Sequence, residues 1–225
     1  MITHPFVNLR QFQDLLDVRL LTREDNVSSD ADIAKLTGRT NIVSLKQMHG
    51  NLAVRVASPS SRVLEADTLA TDTKGLTLTI RFADCQNAVI FHPKERILCL
   101  VHAGWRGVQA KAMTSAYEML RAEWNVDPAE TFVGLGPSLC TKCSDFTDAA
   151  TEVPELKDFF QGKAINLRRA LDDEMLGIGV QKRRIERMDD CTRCKPAKYF
   201  TYRGGDRKAV QNGFVNCLAV TIVGG

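Results

Sequence analysis

Residues 97–108 read Ile97-Leu98-Cys99-Leu100-Val101-His102-Ala103-Gly104-Trp105-Arg106-Gly107-Val108. The apolar run Ile97 to Val101 predicts a buried strand, and Gly104 and Gly107 predict a loop behind it. Val108, Ala112, Ala116, Met119 and Leu120 then recur at spacings that line one face of a helix, with Lys111, Ser115 and Glu118 elsewhere on its surface. A buried strand leading through glycines into an amphipathic helix is an α/β unit. It places His102 at a strand end beside a helix N-terminus, where free N–H groups and the helix dipole favour an anion. Arg106 adds a planar donor fork suited to phosphate or carboxylate.

Upstream, Leu76, Leu78, Ile80 and Phe82 alternate with Thr77, Thr79 and Arg81, the pattern of a half-buried strand. Ala83-Asp84-Cys85 follows its end. Ala88 to Phe91 then reads as a second buried strand, closed by a turn at His92-Pro93-Lys94-Glu95. Downstream, Phe132 to Leu135 is a short strand ending at Gly136-Pro137. Leu167 to Leu176 is a helix stopped by Gly177 and Gly179. Tyr199 to Tyr202 and Phe214 to Val223 close the chain as strands around a turn at Gly204-Gly205-Asp206. No repeat or linker divides it, so residues 1–225 are expected to form one domain of several strands and few helices.

Composition narrows the class. The 225 residues are 44% hydrophobic and 25% charged, ordinary for a soluble globular protein. No apolar run approaches the ~20 residues that span a bilayer, and the start shows no basic segment before an apolar one, so no signal peptide is expected. A net charge of +3 argues for neither nucleic acid nor membrane. Seven cysteines, an odd number, fit reduced thiols in the cytoplasm. A monomer is expected. Cys140/Cys143 and Cys191/Cys194 are each spaced Cys-x-x-Cys, which suits either a four-thiolate structural zinc or four thiols without a metal. Cys99 and Cys217 fall inside apolar strands and are assigned to the core. Lys182-Arg183-Arg184, offset by Glu186 and Asp189, reads as a solvated face, and Trp124 as a packing residue.

The ligand chemistry concentrates in Gln47-Met48-His49-Gly50, Ala83-Asp84-Cys85 and the His102 loop. Two imidazoles and a thiol, with a fourth position left to water or substrate, make the pattern of a catalytic zinc site. No regular spacing links them. Taken singly, His49 reads as a surface residue and Cys85 as a small buried hydrophobe, while the glycines and Trp105 beside His102 favour a pocket. Cys85 as a nucleophile with His102 as its base is the competing chemistry. His92, in a charged turn, reads as solvated.

The chain resembles the laccase-domain proteins, also labelled multicopper polyphenol oxidoreductases, of purine nucleoside phosphorylase type. The resemblance rests on the three ligand motifs together with Glu65-Ala66-Asp67-Thr68-Leu69, His102-Ala103-Gly104-Trp105-Arg106-Gly107, Gly136-Pro137-Ser138, Cys191-Thr192 and Phe200-Thr201-Tyr202-Arg203. It implies an α+β fold, a single-domain mixed α/β/β/α sandwich. It also implies a metal on His49, Cys85 and His102, zinc with copper as the alternative, and purine nucleosides and phosphate as substrates. Phosphorolysis to free purine and ribose 1-phosphate is the implied reaction, with adenosine deamination as a companion activity. Within that reading Arg106 is the first candidate for the phosphate, Arg23 and Arg203 stand behind it, and Asp84 is either an acid/base or an orienting group. A copper polyphenol oxidase would need many more histidines than the four present, and a zinc-binding scaffold without turnover is the remaining rival. The chain departs from the family pattern at Phe82, Asn87, Ser144-Asp145-Phe146 and Gly204-Gly205, all on the substrate side.

Overall fold

A computed structural model describes residues 1–224. In chain order the strands are β1 (Ile2–Thr3), β2 (Leu16–Leu21), β3 (Ile42–Lys46), β4 (Ala53–Arg55), β5 (Ser60–Glu65), β6 (Thr68–Thr71), β7 (Thr77–Phe82), β8 (Gln86–His92), β9 (Ile97–Ala103), β10 (Phe132–Leu135), β11 (Phe160–Gln161), β12 (Ala164–Ile165), β13 (Ile185–Arg187) and β14 (Asn216–Ile222). The α-helices are α1 (Val7–Arg10), α2 (Asp30–Thr37), α3 (Trp105–Gln109), α4 (Ala112–Trp124), α5 (Ala149–Glu152), α6 (Leu167–Ile178) and α7 (Arg207–Gln211). Two mixed six-stranded sheets carry the fold, ordered β1-β2-β14-β7-β3-β5 and β13-β10-β8-β9-β6-β4.

Side-chain alternation along the central strands explains the layering. In β9, Leu98 and Leu100 point at the other sheet and meet Leu78, Ile80, Leu218 and Val220. Cys99 and Val101, on the opposite face of the same strand, pack under Met113, Ala116 and Leu120 of α4 and Leu171 and Met175 of α6. In β14, Cys217 and Ala219 face Ile33 of α2. The central strands are therefore buried on both faces, and β9 is apolar on both, as two covered faces require. The result is the expected α+β, α/β/β/α sandwich, and Cys99 and Cys217 lie in its core.

Five local expectations change. The polar face of β7 is buried rather than solvated, because the α2 layer covers it. Thr79 donates to the Val43 carbonyl at 2.9 Å, and Arg81 donates to Asp30 at 2.8 Å and to the Ser28 carbonyl at 3.0 Å. The helix expected from Val108 onward is two helices, broken where Lys111 adopts φ 61°. Helix α6 runs through Gly177 and ends at Gly179, whose φ of 108° supplies the left-handed cap. Residues 199–202 form no strand, since Thr201 folds its side chain onto the next turn, accepting from the Gly204 N–H at 3.0 Å. His92 is buried, its Nδ1 accepting from the Glu95 N–H at 3.1 Å. Trp124 packs as expected and also donates to Asp72 at 2.9 Å.

What positions the site is the connectivity between sheets. The chain crosses from the first sheet to the second three times, after β3, β5 and β7. His49 lies on the first crossing, Asp67 on the second and Cys85 on the third. His102 ends β9, paired with Asn87 of β8.

Candidate metal centre

His49, Cys85 and His102 are brought together, with one donor atom from each within 4.8 Å of the others. Asp67, on the second crossing, ties the first crossing to the end of β9. Its carboxylate accepts the backbone N–H groups of Met48 at 3.2 Å, His49 at 2.9 Å and Gly50 at 2.7 Å, and the His102 Nδ1 proton at 2.8 Å. Those bonds curl the 47–50 loop and place His49 at φ 61°. They also settle the His102 tautomer: with Nδ1 on the carboxylate, Nε2 is left to face Cys85 and His49. Gln47 completes the loop's anchoring, donating to the Arg81 carbonyl at 2.8 Å and accepting the Arg81 N–H at 2.9 Å.

The two glycines after His102 are sterically required. A Cβ on Gly104 would lie 3.1 Å from both the Cys85 sulfur and the His49 ring, and one on Gly107 would lie 2.9 Å from the Gly50 carbonyl. Any side chain there pushes the ligands apart.

Electrostatics couple Cys85 and His102 as a thiolate–imidazolium pair. Burial alone would push the Cys85 thiol up, but the imidazoles of His102 and His49 outweigh it and bring it down to about 6. Burial pulls His102 the other way, yet the Cys85 thiolate and the Asp67 carboxylate raise it to about 9. Burial also opposes the charge on Asp67, whose carboxyl is nevertheless held below its usual range by His102 and the loop N–H groups. The thiolate is thus present at neutral pH, in the form that binds a metal, whereas His102 gives up a proton on ligation. Two imidazoles and a thiolate at this spacing fit a metal ion with an open fourth position.

That position faces a cavity of about 880 Å³. Five arginines line it, Arg62, Arg81, Arg106, Arg203 and Arg207, against a single carboxylate, Asp84. Phe82, Trp105 and Tyr202 supply aromatic surface, with Arg106 stacked on Trp105 at 4.1 Å and Arg207 on Tyr202 at 5.0 Å. Arg106 is solvent-exposed at the mouth. Arg203 reaches the Asp145 carbonyl and lies over Phe146 at 5.1 Å.

Of the other expected site residues, Asp84 lines the cavity and Arg23 does not. Arg23 is bound to Asp206 and the Tyr199 carbonyl and stacks on Phe200, behind the Tyr202–Asp206 turn. Asp84, at φ 90°, has its carboxylate filled by Thr192 Oγ1 at 2.6 Å, Thr201 Oγ1 at 2.7 Å and the Arg203 N–H at 2.7 Å. Asp67 was part of a recognised motif but carried no assigned role; nothing local distinguishes a carboxylate that will meet a histidine 35 residues away. Asn87 donates to the carbonyls of Cys85 at 3.2 Å and Pro137 at 3.0 Å and so braces the Cys85 turn.

Two outcomes follow from this geometry. Asp67→Asn is expected to weaken zinc binding by about 10- to 100-fold, because the amide cannot hold the His102 proton as a carboxylate does; zinc competition with a chromogenic chelator measures it, and unchanged affinity would refute the role. In metal-stripped protein, alkylation of Cys85 by iodoacetamide should rise with pH through a midpoint near pH 6 and level off by about pH 7.5, since only the thiolate reacts and its folded pKa is about 6. A midpoint near pH 8.5, the ordinary thiol value, would show that the imidazoles do not hold the thiolate.

A sequence model described as "Multi-copper polyphenol oxidoreductase laccase" matches residues 22–216. "Purine nucleoside phosphorylase YlmD" of Geobacillus stearothermophilus is 28% identical over 184 residues, covering 77% of this chain and 63% of that protein. "Adenosine deaminase RL5", from an unknown prokaryotic organism, is 30% identical over 149 residues, covering 61% of this chain and 56% of that protein. The matched region spans less than two thirds of the length of each of these two relatives. The crystal structure of Bacillus licheniformis hypothetical protein YfiH superposes with a TM-score of 0.79 at 20% identity, over 96% of this chain and 94% of that one, and so shares its fold. With the match running from Thr22 to Asn216 and taking in all three candidate ligands, the chain belongs to the multi-copper polyphenol oxidoreductase laccase family.

Proposed function

We propose that the chain, acting as one unit over residues 1–225, is a zinc-dependent purine nucleoside phosphorylase of the cytoplasm. The observation that carries this reading is a cavity lined by five arginines and three aromatic rings opening onto the His49/Cys85/His102 cluster. Arginine forks suit phosphate, and flat aromatic surface suits a purine. The names of the relatives support the same substrate class.

In the proposed reaction a phosphate oxygen attacks C1′ of the nucleoside. The C1′–N9 bond breaks, and the purine leaves with the bonding electron pair. Zinc, when bound, supplies a positive charge at the cavity floor that neutralises the reacting anion. Arg106 orients the phosphate from the mouth, and Arg203, held by Asp145, forms the neighbouring wall. Asp84 is assigned to holding that wall rather than to proton transfer, because three donors already occupy its carboxylate. Phe82, Trp105 and Tyr202 exclude water around the base. Adenosine deamination at the same site is the companion activity. The Cys85–His102 pair is also what a thiol hydrolase requires, but such a pair has no use for His49 as a third donor.

Incubated with adenosine or inosine, the zinc-loaded protein is expected to release free base only when phosphate is present, with ribose recovered as its 1-phosphate. Free ribose without phosphate, inosine alone from adenosine, or oxygen uptake with a phenol would each replace this reading, and chromatography of one reaction separates them. Arg106→Lys should raise the KM for phosphate about tenfold, equivalent to roughly 1.4 kcal/mol, with the melting temperature nearly unchanged because the side chain is exposed. An unaltered phosphate KM would move the anion site to Arg203 or Arg207.

A further inference from the structure

A second cluster of ligand atoms lies outside the cavity. Cys140-Thr141-Lys142-Cys143 and Cys191-Thr192-Arg193-Cys194 are near-copies of one tetrapeptide, and the fold sets them face to face. One sulfur from each of the four cysteines lies within 4.8 Å of the others. Cys140 and Cys194 are 3.9 Å apart, and Cys143 and Cys194 are 3.5 Å apart. A tetrahedral ion with a metal–sulfur bond of about 2.3 Å places its sulfurs about 3.8 Å from each other. The spacing therefore suits four thiolates around one ion, and all four cysteines are unpaired by disulfides.

We propose that Cys140, Cys143, Cys191 and Cys194 hold a structural zinc ion that clips together the two loops forming the outer wall of the cavity. Four protein ligands leave no open position, which distinguishes this site from the three-ligand cluster. The backbone is arranged for it. Cys140 through Cys143 form a tight turn closed by the Cys143 N–H to the Cys140 carbonyl at 3.0 Å, and the Lys195 N–H closes the second turn on the Cys191 carbonyl at 3.0 Å. The Cys140 N–H donates to the Cys191 sulfur at 3.2 Å, a bond that stabilises thiolate charge across the two turns. Lys142 and Arg193 occupy matching positions in the two tetrapeptides and offset the negative charge that four thiolates leave on a divalent ion.

The loops so joined are those that touch the reaction site. Leu139 and Ser144 line the cavity beside the first turn. Thr192, inside the second, donates to Asp84, the neighbour of Cys85. Arg168 spans the junction, donating to the carbonyls of Ser138 at 2.7 Å, Leu139 at 3.1 Å and Asp190 at 2.7 Å. Without an ion, exposed loops would have little reason to aim four sulfurs at one point.

The test begins with Cys85→Ala, which removes the thiolate of the first cluster, and reads metal rather than turnover, so it stands apart from the nucleoside reading. Elemental analysis of the purified full chain should find about one zinc retained, and adding Cys143→Ser and Cys194→Ser should abolish it. The triple variant should also be cut by protease within residues 139–145 or 190–203, where Cys85→Ala is not. Because the triple variant can fail to fold, cobalt(II) loaded into the Cys85→Ala protein gives an independent readout: strong thiolate-to-metal charge-transfer bands with tetrahedral ligand-field bands. Zinc retained after loss of Cys143 and Cys194, iron in its place, two disulfides by mass spectrometry of the native protein, or a cobalt spectrum without thiolate bands would overturn the assignment.

Discussion

The Asp67 carboxylate is buried between the sheets, and a buried charge without partners costs several kcal/mol. Its two oxygens are satisfied by three consecutive N–H groups of the 48–50 loop and by the His102 ring. The need to satisfy that charge fixes three things together. The loop must curl, His49 must take up a left-handed backbone that an L-residue adopts at a cost of about 1–2 kcal/mol, and His102 must present Nε2 to its neighbours. The candidate centre depends on this one group more than on any of its ligands.

The sandwich makes that arrangement rigid. Its central strands are buried on both faces, so neither sheet can shift without disturbing two packed layers. The crossings between sheets are where backbone leaves the ladders and side chains can converge. Chemistry collects at the seam for that reason: the strands on either side are held by packing, and the connections need only satisfy hydrogen bonds. Gly104 and Gly107 permit the last close approach.

The outer wall of the cavity is built differently. Residues 137–145 and 190–206 have little regular strand structure and are held instead by polar clamps. Asp84 takes three donors from them, Arg23 locks the Tyr202–Asp206 turn from behind, and Arg168 fastens four carbonyls. Departures from the family pattern at Ser144-Asp145-Phe146 and Gly204-Gly205 fall in this wall, and the paired cysteine turns lie beside it. Long-range polar and thiolate contacts here take over what a hydrophobic layer does elsewhere.

Much of the fold was legible in residues 76–135, where apolar runs, alternation and glycine punctuation mark β7, β8, β9 and β10 and the start of a helix. The candidate ligand set came from the family resemblance, since His49 and Cys85 taken singly read as ordinary residues. The break at Lys111, the burial of Arg81 and His92, and the loop at residues 199–201 were not legible, since each is decided by a neighbour distant in the chain. The same holds for function at the site. Sequence alone named His49, Cys85 and His102 as ligands, whereas only the tertiary structure made Asp67 their organiser, set Arg23 behind the wall, filled Asp84 with donors and brought the two cysteine turns together. Residue type determines which bonds a side chain can make; which of them it does make depends on contacts between segments tens of residues apart, and those exist only once both sheets have closed on each other.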